Sequence, residues 1–369
     1  MKKMSVLYDH DFFSAFGYSG ITRYFYEIMT RIAVMPEDRV SAFMGFHINR
    51  YGLEKQRHLF DRFFGVRKPT IPRTGRIFNA LNSVGLYLFE KSVRPDVYHQ
   101  TYTRYMLPRF KGKRIVTVYD MIYELFPDFF PAPGPEIEDK RRSVERADGI
   151  IAISESTKRD LMRLWNVPEE KIRVIYLGNT LTSGEDSAPP VNEPYLLYVG
   201  QRVLHKNFKT LLEVYCANSW LNEGFRLVCF GGSPFSPGEL ELARAHGVAD
   251  RLSQLSGTDS ALAAAYKNAA ALVYPSLYEG FGLPIVEAMG LGCPVILSRT
   301  SSLLEVGKEG CAFFDPLNGG ELLSQLERVL LQPGVREEMQ EKGRRHAATF
   351  TWEKCAKETE AFYREVLGR

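Results

Sequence analysis

Cysteine is scarce and carries no pattern. The five cysteines stand at 216, 229, 293, 311 and 355, with none in the first 215 residues and no CxxC pair. An odd count without paired spacing argues against a disulfide framework and a structural zinc, and for a reducing compartment. Long apolar runs are also missing, and nothing approaches the ~18 residues that a membrane span needs. After Met-Lys-Lys the apolar run extends only from Met4 to Tyr8 before Asp9 interrupts it, which fits a first strand and not a secretion signal. No excess of one charge exists: 47 Lys and Arg face 44 Asp and Glu, for a net charge of +3. That is too little to imply nucleic acid as a partner. Secreted, integral-membrane and disordered classes fall away, and a cytoplasmic location, peripheral at the inner face of a membrane, is the expectation. HExxH, Gly-x4-Gly-Lys-Ser/Thr and Gly-x-Ser-x-Gly are absent, and Gly17-Tyr-Ser-Gly20 is not GxGxxG.

What is present is an alternation. The 369 residues suggest two domains at ~100–200 residues each. Short apolar runs occur at Ser5–Tyr8, Val97–His99, Arg114–Tyr119, Gly149–Ile153 and Arg173–Tyr176, then at Tyr195–Val199, Arg226–Phe230, Ala271–Tyr274, Pro294–Leu297 and Ala312–Phe314. Such runs suit strands covered on both faces of a parallel sheet. Helical patterns fall between them, at Ile21–Ile32, Thr157–Leu164, Leu211–Tyr215, Leu262–Ala270 and Glu321–Leu330. The order predicts an α/β chain with crossovers. Asn179–Pro194, with three prolines among Thr, Ser, Gly, Glu and Asp, reads as a linker and puts the boundary near 183–193. Two doubly wound domains would then face each other, with ligands at the strand C-termini in the cleft between.

Two segments concentrate chemistry. In Tyr274-Pro-Ser-Leu-Tyr-Glu-Gly-Phe-Gly-Leu-Pro-Ile-Val-Glu287, a strand leads into a glycine loop and then a helix start at Pro284. Loop amides at the positive end of a helix dipole suit phosphate or sugar hydroxyls, and Glu279 and Glu287 are bidentate acceptors suited to vicinal hydroxyls. In Tyr198-Val-Gly-Gln-Arg-Val-Leu-His-Lys-Asn207, Arg202 and Lys206 follow a strand end. A planar fork and a point charge there can hold a diphosphate. Asp9-His-Asp11 matches a three-residue metal–nucleotide signature, but acceptor binding or local turn chemistry is expected, with no required metal and no cofactor. Between Asn49 and Arg76 eight basic residues meet only Glu54 and Asp61, with aromatic residues interleaved. Two readings stand: a solvated loop or helix face, or a docking surface for anionic lipid or a lipid phosphate.

The Glu279…Glu287 block resembles the Glu-x7-Glu signature of family-4 glycosyltransferases, retaining group 1 enzymes with the GT-B fold. Gly200-Gln-Arg-Val-Leu-His-Lys-Asn207 is similar to that family's donor-phosphate segment. Ser19-Gly-Ile-Thr-Arg-Tyr24 resembles its N-domain glycine loop, Ala147–Leu161 the strand and helix closing the N-domain sheet, and Ser256–Tyr266 the segment around the base. The resemblance implies an acceptor-binding domain over 1–183, a nucleotide-sugar domain over 194–350, and a closing helix over 351–369 that crosses back.

It further implies that Arg202, Lys206 and Glu279 are catalytic, with Arg202 and Lys206 on the donor diphosphate. Glu279 and the loop Gly280, Phe281, Gly282 and Leu283 would hold the donor sugar, Glu287 the ribose, and Thr258 and Leu262 the base, with Gly20 near the donor. Tyr119 stands where many relatives have His, before Asp120; it can still hydrogen-bond a sugar oxygen but carries no positive charge. His99 and Asp120 are acceptor-side candidates, with a structural role for His99 equally in view. The expected activity moves a hexose from a UDP- or GDP-sugar to a glycan or lipid-linked hydroxyl in cell-surface polysaccharide assembly. A non-catalytic sugar-nucleotide-binding subunit, an epimerase and a phosphorylase are the alternatives.

Overall fold

The computed structural model describes residues 3–17, 19–69, 74–102, 107, 109–130, 134–179, 181 and 188–369. Arg73 of the basic segment and residues 182–187 of the expected linker lie outside the described residues. The chain divides into two units, Met1–Gly178 with Trp352–Arg369, and Asn179–Thr351.

The first unit carries a seven-stranded sheet: β1 (Met4–Tyr8), β2 (Asp38–His47), β3 (Arg62–Arg67), β4 (Val97–Gln100), β5 (Lys113–Val118), β6 (Gly149–Ala152) and β7 (Ile172–Val174). The order is β3-β2-β1-β4-β5-β6-β7, parallel throughout. The second unit has six: β8 (Tyr195–Val199), β9 (Arg226–Phe230), β10 (Leu252–Leu255), β11 (Ala271–Tyr274), β12 (Val295–Ser298) and β13 (Cys311–Phe314). Their order is β10-β9-β8-β11-β12-β13, again parallel. Both sheets are doubly wound, and each reverses strand order once, between β1 and β4 and between β8 and β11. Loops diverge at such a reversal and leave room for a ligand beside the strand C-termini.

Three strands escaped the sequence pattern. β10 is the tetrapeptide Leu-Ser-Gln-Leu, half-buried and too polar to stand out. β2 and β3 occupy the region where apolar and basic residues mix. The loop or helix face expected within 49–76 is corrected: a 3-10 turn at Leu53–Leu59 leads into β3, an edge strand in register with β2 from Ser41↔Arg62 to His47↔Arg67. Exposed arginines on an edge strand oppose pairing with a foreign strand, so basic charge and strand structure are compatible here.

The last helix, Trp352–Gly368, belongs to the first unit and buries Trp352, Cys355, Ala356, Thr359, Phe362, Tyr363 and Val366 at helical spacing. Each large side chain so buried contributes roughly 1.5–3 kcal/mol. The helix lies so close to β6 that a Cβ on Gly149 would stand 2.7 Å from Val366 Cγ2 and 2.9 Å from Phe362 Cζ. A buried polar chain also ties it down. Tyr8 Oη meets Tyr363 Oη at 2.8 Å, Tyr363 Oη meets His99 Nδ1 at 2.5 Å, His99 Nε2 meets Thr117 Oγ1 at 2.8 Å, and Thr117 Oγ1 meets Tyr24 Oη at 3.1 Å. Five side chains from β1, β4, β5 and two helices hydrogen-bond one another, as buried polar groups must.

His99 is therefore a core residue. It is fully buried and both ring nitrogens are engaged, which removes it from an open acceptor site. Burial pushes its pKa down to about 3 from an ordinary 6.5. The unfolded chain then binds a proton that the folded chain refuses, so the histidine's stability is complete above pH 6.5 and is lost as pH falls toward 3. Between pH 6 and 4 this one group steepens the loss by about 1.4 kcal/mol per pH unit. Urea unfolding of His99→Gln and wild type across that range should show the variant flatter by this amount. Parallel curves would mean that the imidazole already titrates in the folded state.

Candidate active site

The reversal between β8 and β11 brings together the two segments that the sequence marked. Lys206 closes a 3-10 turn, Leu204–Lys206, after β8, and Glu279 stands in the loop after β11. Lys206 Nζ donates to Glu279 Oε1 at 2.6 Å and Oε2 at 2.9 Å, and to Tyr274 Oη at 3.2 Å. The ammonium also lies 5.4 Å from the Tyr274 ring centroid, within cation–π range. Ser276 Oγ donates to Glu279 Oε1 at 2.6 Å, and the Glu279 amide donates to Ser301 Oγ at 3.0 Å. Both side chains are largely but not fully enclosed, leaving the pair accessible from one side.

The loops that carry the pair are stitched together. Asn207, in the left-handed region at φ 51°, donates from Nδ2 to the carbonyls of Pro275 (3.1 Å) and Pro316 (2.8 Å). Asparagine tolerates that backbone and offers two donors at once. The Leu277 amide donates to His205 O at 2.7 Å. From the loop after β12, Thr300 Oγ1 donates to Leu277 O, and Ser302 Oγ to the carbonyls of Glu279 and Phe281. Lys206 and Glu279 thus sit on a preorganised frame.

Beyond Glu279, Gly280 leads to Phe281, which is buried edge-on against Phe350 at 5.8 Å, and to Gly282 at φ 97°. That backbone conformation favours glycine, and a Cβ there would also push the Ile285 Cδ1 methyl aside, at 2.8 Å. Gly282 precedes the helix Leu283–Gly290, whose start no side chain caps. Its first-turn amides and dipole favour an anion or a sugar oxygen. Glu287, one turn in, is buried and accepts from Tyr266 Oη at 3.0 Å. It does not join the Lys206 cluster directly. Burial raises the Tyr274 phenol well above its ordinary pKa, and the charges of Glu279 and then Glu287 raise it further, so Tyr274 is a neutral hydroxyl between them.

Arg202 is held apart from Lys206. Its side chain is 5% exposed, and its donors go to Glu239 Oε1 (3.2 Å), Gln254 Oε1 (2.7 Å) and Ser233 O (2.5 Å). Its guanidinium stands 4.4 Å from the Phe235 ring centroid. The expected pair of cations is therefore two separate cations, one facing β11 and one facing β9 and β10. Thr258 caps the helix Asp259–Asn268 beyond β10, its Oγ1 accepting from the Ala261 amide at 3.4 Å, and Leu262 is half-buried in the first turn.

In the first unit, Tyr119 and Asp120 line a cavity of about 230 Å³ with Phe12, Ile21, Tyr102 and Lys140. The Tyr119 hydroxyl is buried with no hydrogen-bond partner among the described residues, and burial raises its pKa well above the ordinary value. Asp120 Oδ1 accepts from the Ile122 amide at 3.1 Å, and its carbonyl accepts from Lys140 at 3.0 Å. Gly20, exposed, opens the helix Gly20–Ala33 after Ser19, whose side chain caps it. Asp9 does turn chemistry: Oδ1 accepts from the amides of Asp11 (3.1 Å) and Thr101 (3.2 Å), and Oδ2 from Tyr98 Oη (2.5 Å), fastening the ends of β1 and β4. Among the described residues no group of three His, Cys, Asp or Glu side chains could hold a metal.

Residue patterns alone missed Tyr274, Ser276, Ser301, Glu239 and Gln254. Ser236-Pro-Gly-Glu239 forms a capping box in which Ser236 Oγ accepts from the Glu239 amide and the Glu239 carboxylate accepts from the Ser236 amide, and the same carboxylate holds Arg202.

Residues 18–181 match the model of Glycosyltransferase Family 4, and residues 182–346 that of Glycosyl transferases group 1. The chain is 25% identical over 369 residues to O-antigen chain mannosyltransferase B of Escherichia coli, covering 92% of this chain and 94% of that protein. In fold it is similar to sucrose-phosphate synthase from Thermosynechococcus elongatus, with a TM-score of 0.77 and 19% identity over the full length of both. It is also similar to Anabaena Alr3699/HepE, solved in complex with UDP and glucose, with a TM-score of 0.73 and 15% identity over 98% of this chain and 99% of that one.

The Arg202 contacts give a stability prediction. Arg202→Ala removes a buried guanidinium and its hydrogen bonds to Glu239, Gln254 and the Ser233 carbonyl, at a cost of about 3 kcal/mol. Chemical denaturation of Arg202→Ala, Lys206→Ala and the double variant should show the two losses adding to within ~0.5 kcal/mol. A large departure from additivity would refute the assignment of separate networks.

Proposed function

The chain belongs to the family-4, group 1 glycosyltransferases, and on that premise we propose that it moves a hexose from a UDP- or GDP-sugar to an acceptor hydroxyl with retention at the anomeric carbon. The acceptor is a glycan or lipid-linked chain in cell-surface polysaccharide assembly, presented at an anionic membrane surface that the basic residues of 49–76 face. The full-length likeness to an O-antigen mannosyltransferase supports a mannose donor and a surface polysaccharide. The UDP and glucose bound by the Anabaena protein support a nucleotide-sugar donor.

One observation carries the reading: the Lys206–Glu279 pair at the β8/β11 reversal, beside an uncapped helix start. As the glycosidic bond breaks, negative charge grows on the departing diphosphate. Lys206, the amides around Gly282 and, beyond its own network, Arg202 supply positive potential where that charge develops. Because Glu279 and Tyr274 already fix the ammonium, and Ser276 fixes Glu279, little reorganisation is needed in the transition state. Glu279 accepts from donor-sugar hydroxyls with its free lone pairs, and Glu287 from the ribose. Retention follows a front-face route in which the departing phosphate takes the acceptor proton. Neither carboxylate is asked to act as the nucleophile of a hydrolase.

The test combines binding and turnover. Thermal shift against UDP, GDP, ADP, their sugar conjugates and NAD, with and without EDTA, should give one selective nucleoside-diphosphate shift that EDTA leaves unchanged. Ligand at ~100 times its dissociation constant adds ~2.7 kcal/mol. With that donor and an oligosaccharide acceptor, Lys206→Ala should lower kcat roughly 100–1000-fold while the fold survives. Glu279→Gln, which loses a charged acceptor, should lower it about tenfold or more. Product formed without an acceptor, or an inverted anomeric centre by NMR, would sink this reading.

A further inference from the structure

The helix Gly75–Val93 is apolar on two opposite faces. Asn82, Leu86 and Glu90, spaced i, i+4, i+8, are its buried residues. Asn82 pins it to β2, accepting from the Phe46 amide at 2.7 Å and donating to Phe46 O at 3.1 Å. Phe89 packs on Phe43 at 5.4 Å. On the other side stand Ile77, Leu81, Val84 and Leu88, exposed by 61, 50, 61 and 61%. Their i, i+4, i+7, i+11 spacing sets them on one stripe, about half a turn from the packed face. Among the described residues, nothing in its own unit covers that stripe. Four large aliphatic side chains in a line, this exposed, are unlike the scattered apolar residues of an ordinary surface.

The stripe has neighbours of the same character. Phe64 stacks on Phe43 at 5.4 Å, so it lies on the sheet face that receives the helix, and it is 42% exposed. Val66, two residues on and on the same face, is 46% exposed. The exposed charge beside it is basic. Arg62, on the same face of β3 as Phe64, and Arg76 and Arg94, near the two ends of the helix, are exposed. The sole acidic residue between Arg62 and Arg94 is Glu90, which is buried and paired with Lys91 at 3.2 Å.

We propose that this face, the Ile77–Leu81–Val84–Leu88 stripe with Phe64 and Val66, inserts into the outer part of an anionic lipid bilayer while the flanking arginines Arg62, Arg76 and Arg94 hold lipid phosphates. Apolar surface rimmed by cations, with no exposed carboxylate from Arg62 to Arg94, matches the interface of an anionic leaflet. A protein partner or a second copy of the chain would be expected to answer the cations with carboxylates, and this face offers a second copy none. The inference rests on the reading of a membrane-presented acceptor and moves the anchor from the basic segment to the helix that follows it. Insertion would fix the first unit, with its cavity at Tyr119 and Asp120, at the surface where lipid-linked chains are carried.

Co-sedimentation of the full chain with phosphatidylcholine vesicles, with and without phosphatidylglycerol, tests this. Wild type should bind the anionic vesicles far better than neutral ones, and less at high salt. Leu81→Ser and Leu88→Ser should each weaken binding roughly tenfold, and Arg62→Gln, Arg76→Gln and Arg94→Gln about fivefold each. Melting temperature and transfer to a soluble acceptor should stay at wild-type values in all five variants. Wild type that stays in the supernatant, or serine variants that sediment as wild type does, would overturn the proposal. So would a dimer in light scattering that Leu81→Ser dissolves, because a second copy would then own the face. Vesicle binding without any nucleoside-diphosphate shift would overturn the donor site instead and leave the anchor standing.

Discussion

An ammonium between a carboxylate and a phenol organises the second unit. Lys206 and Glu279 are 73 residues apart, and the loops that carry them meet only because strand order reverses between β8 and β11. Neither loop could hold a charge still by itself. Asn207 binds one loop to the carbonyls of the other, and Ser302 does the same from a third. The pair is partly enclosed, so its hydrogen bonds are stronger than in water, while losing one partner would leave a costly charge. A site built this way is rigid before any ligand arrives, which is what electrostatic stabilisation of a leaving group needs.

The first unit uses neutral groups for the same purpose. Its sheet, its second helix and its last helix converge on the Tyr8–Tyr363–His99–Thr117–Tyr24 chain, where burial keeps every member uncharged. Asp9 performs a related task at the reversal between β1 and β4, gathering donors from Asp11, Thr101 and Tyr98. The second unit thus places a charged pair where the donor is proposed to bind, while the first closes its last helix over a neutral chain. The first unit's own distinctive surface is its aromatic cavity and the outward stripe of Gly75–Val93.

Much of this was legible from residue order. Continuous apolar runs fixed most strands, because a parallel sheet covered on both faces must be apolar on both. Glycine followed by proline announced the helix start at Leu283, and strand ends announced Arg202 and Lys206. The failures share a cause. β3 was hidden because an edge strand can be basic. His99 looked available because a histidine after a strand gives no sign of what will close over it, and here the cover is Tyr363, 264 residues away. Arg202 looked like a partner of Lys206 because four residues separate them, yet the chain turns between and sends the guanidinium toward Glu239 and Gln254.

The sequence by itself determined the two doubly wound sheets, the loops that bear the chemistry, and the residue types fit for a diphosphate and a sugar. Those follow from periodicity, glycine and proline, and the intrinsic chemistry of each side chain, all local in the chain. Tertiary structure alone decided which charges meet, which are consumed in the frame, and which apolar face is left without cover. Pairing and burial depend on distances between residues far apart in sequence, and a carboxylate's or an imidazole's behaviour is set by what is folded against it.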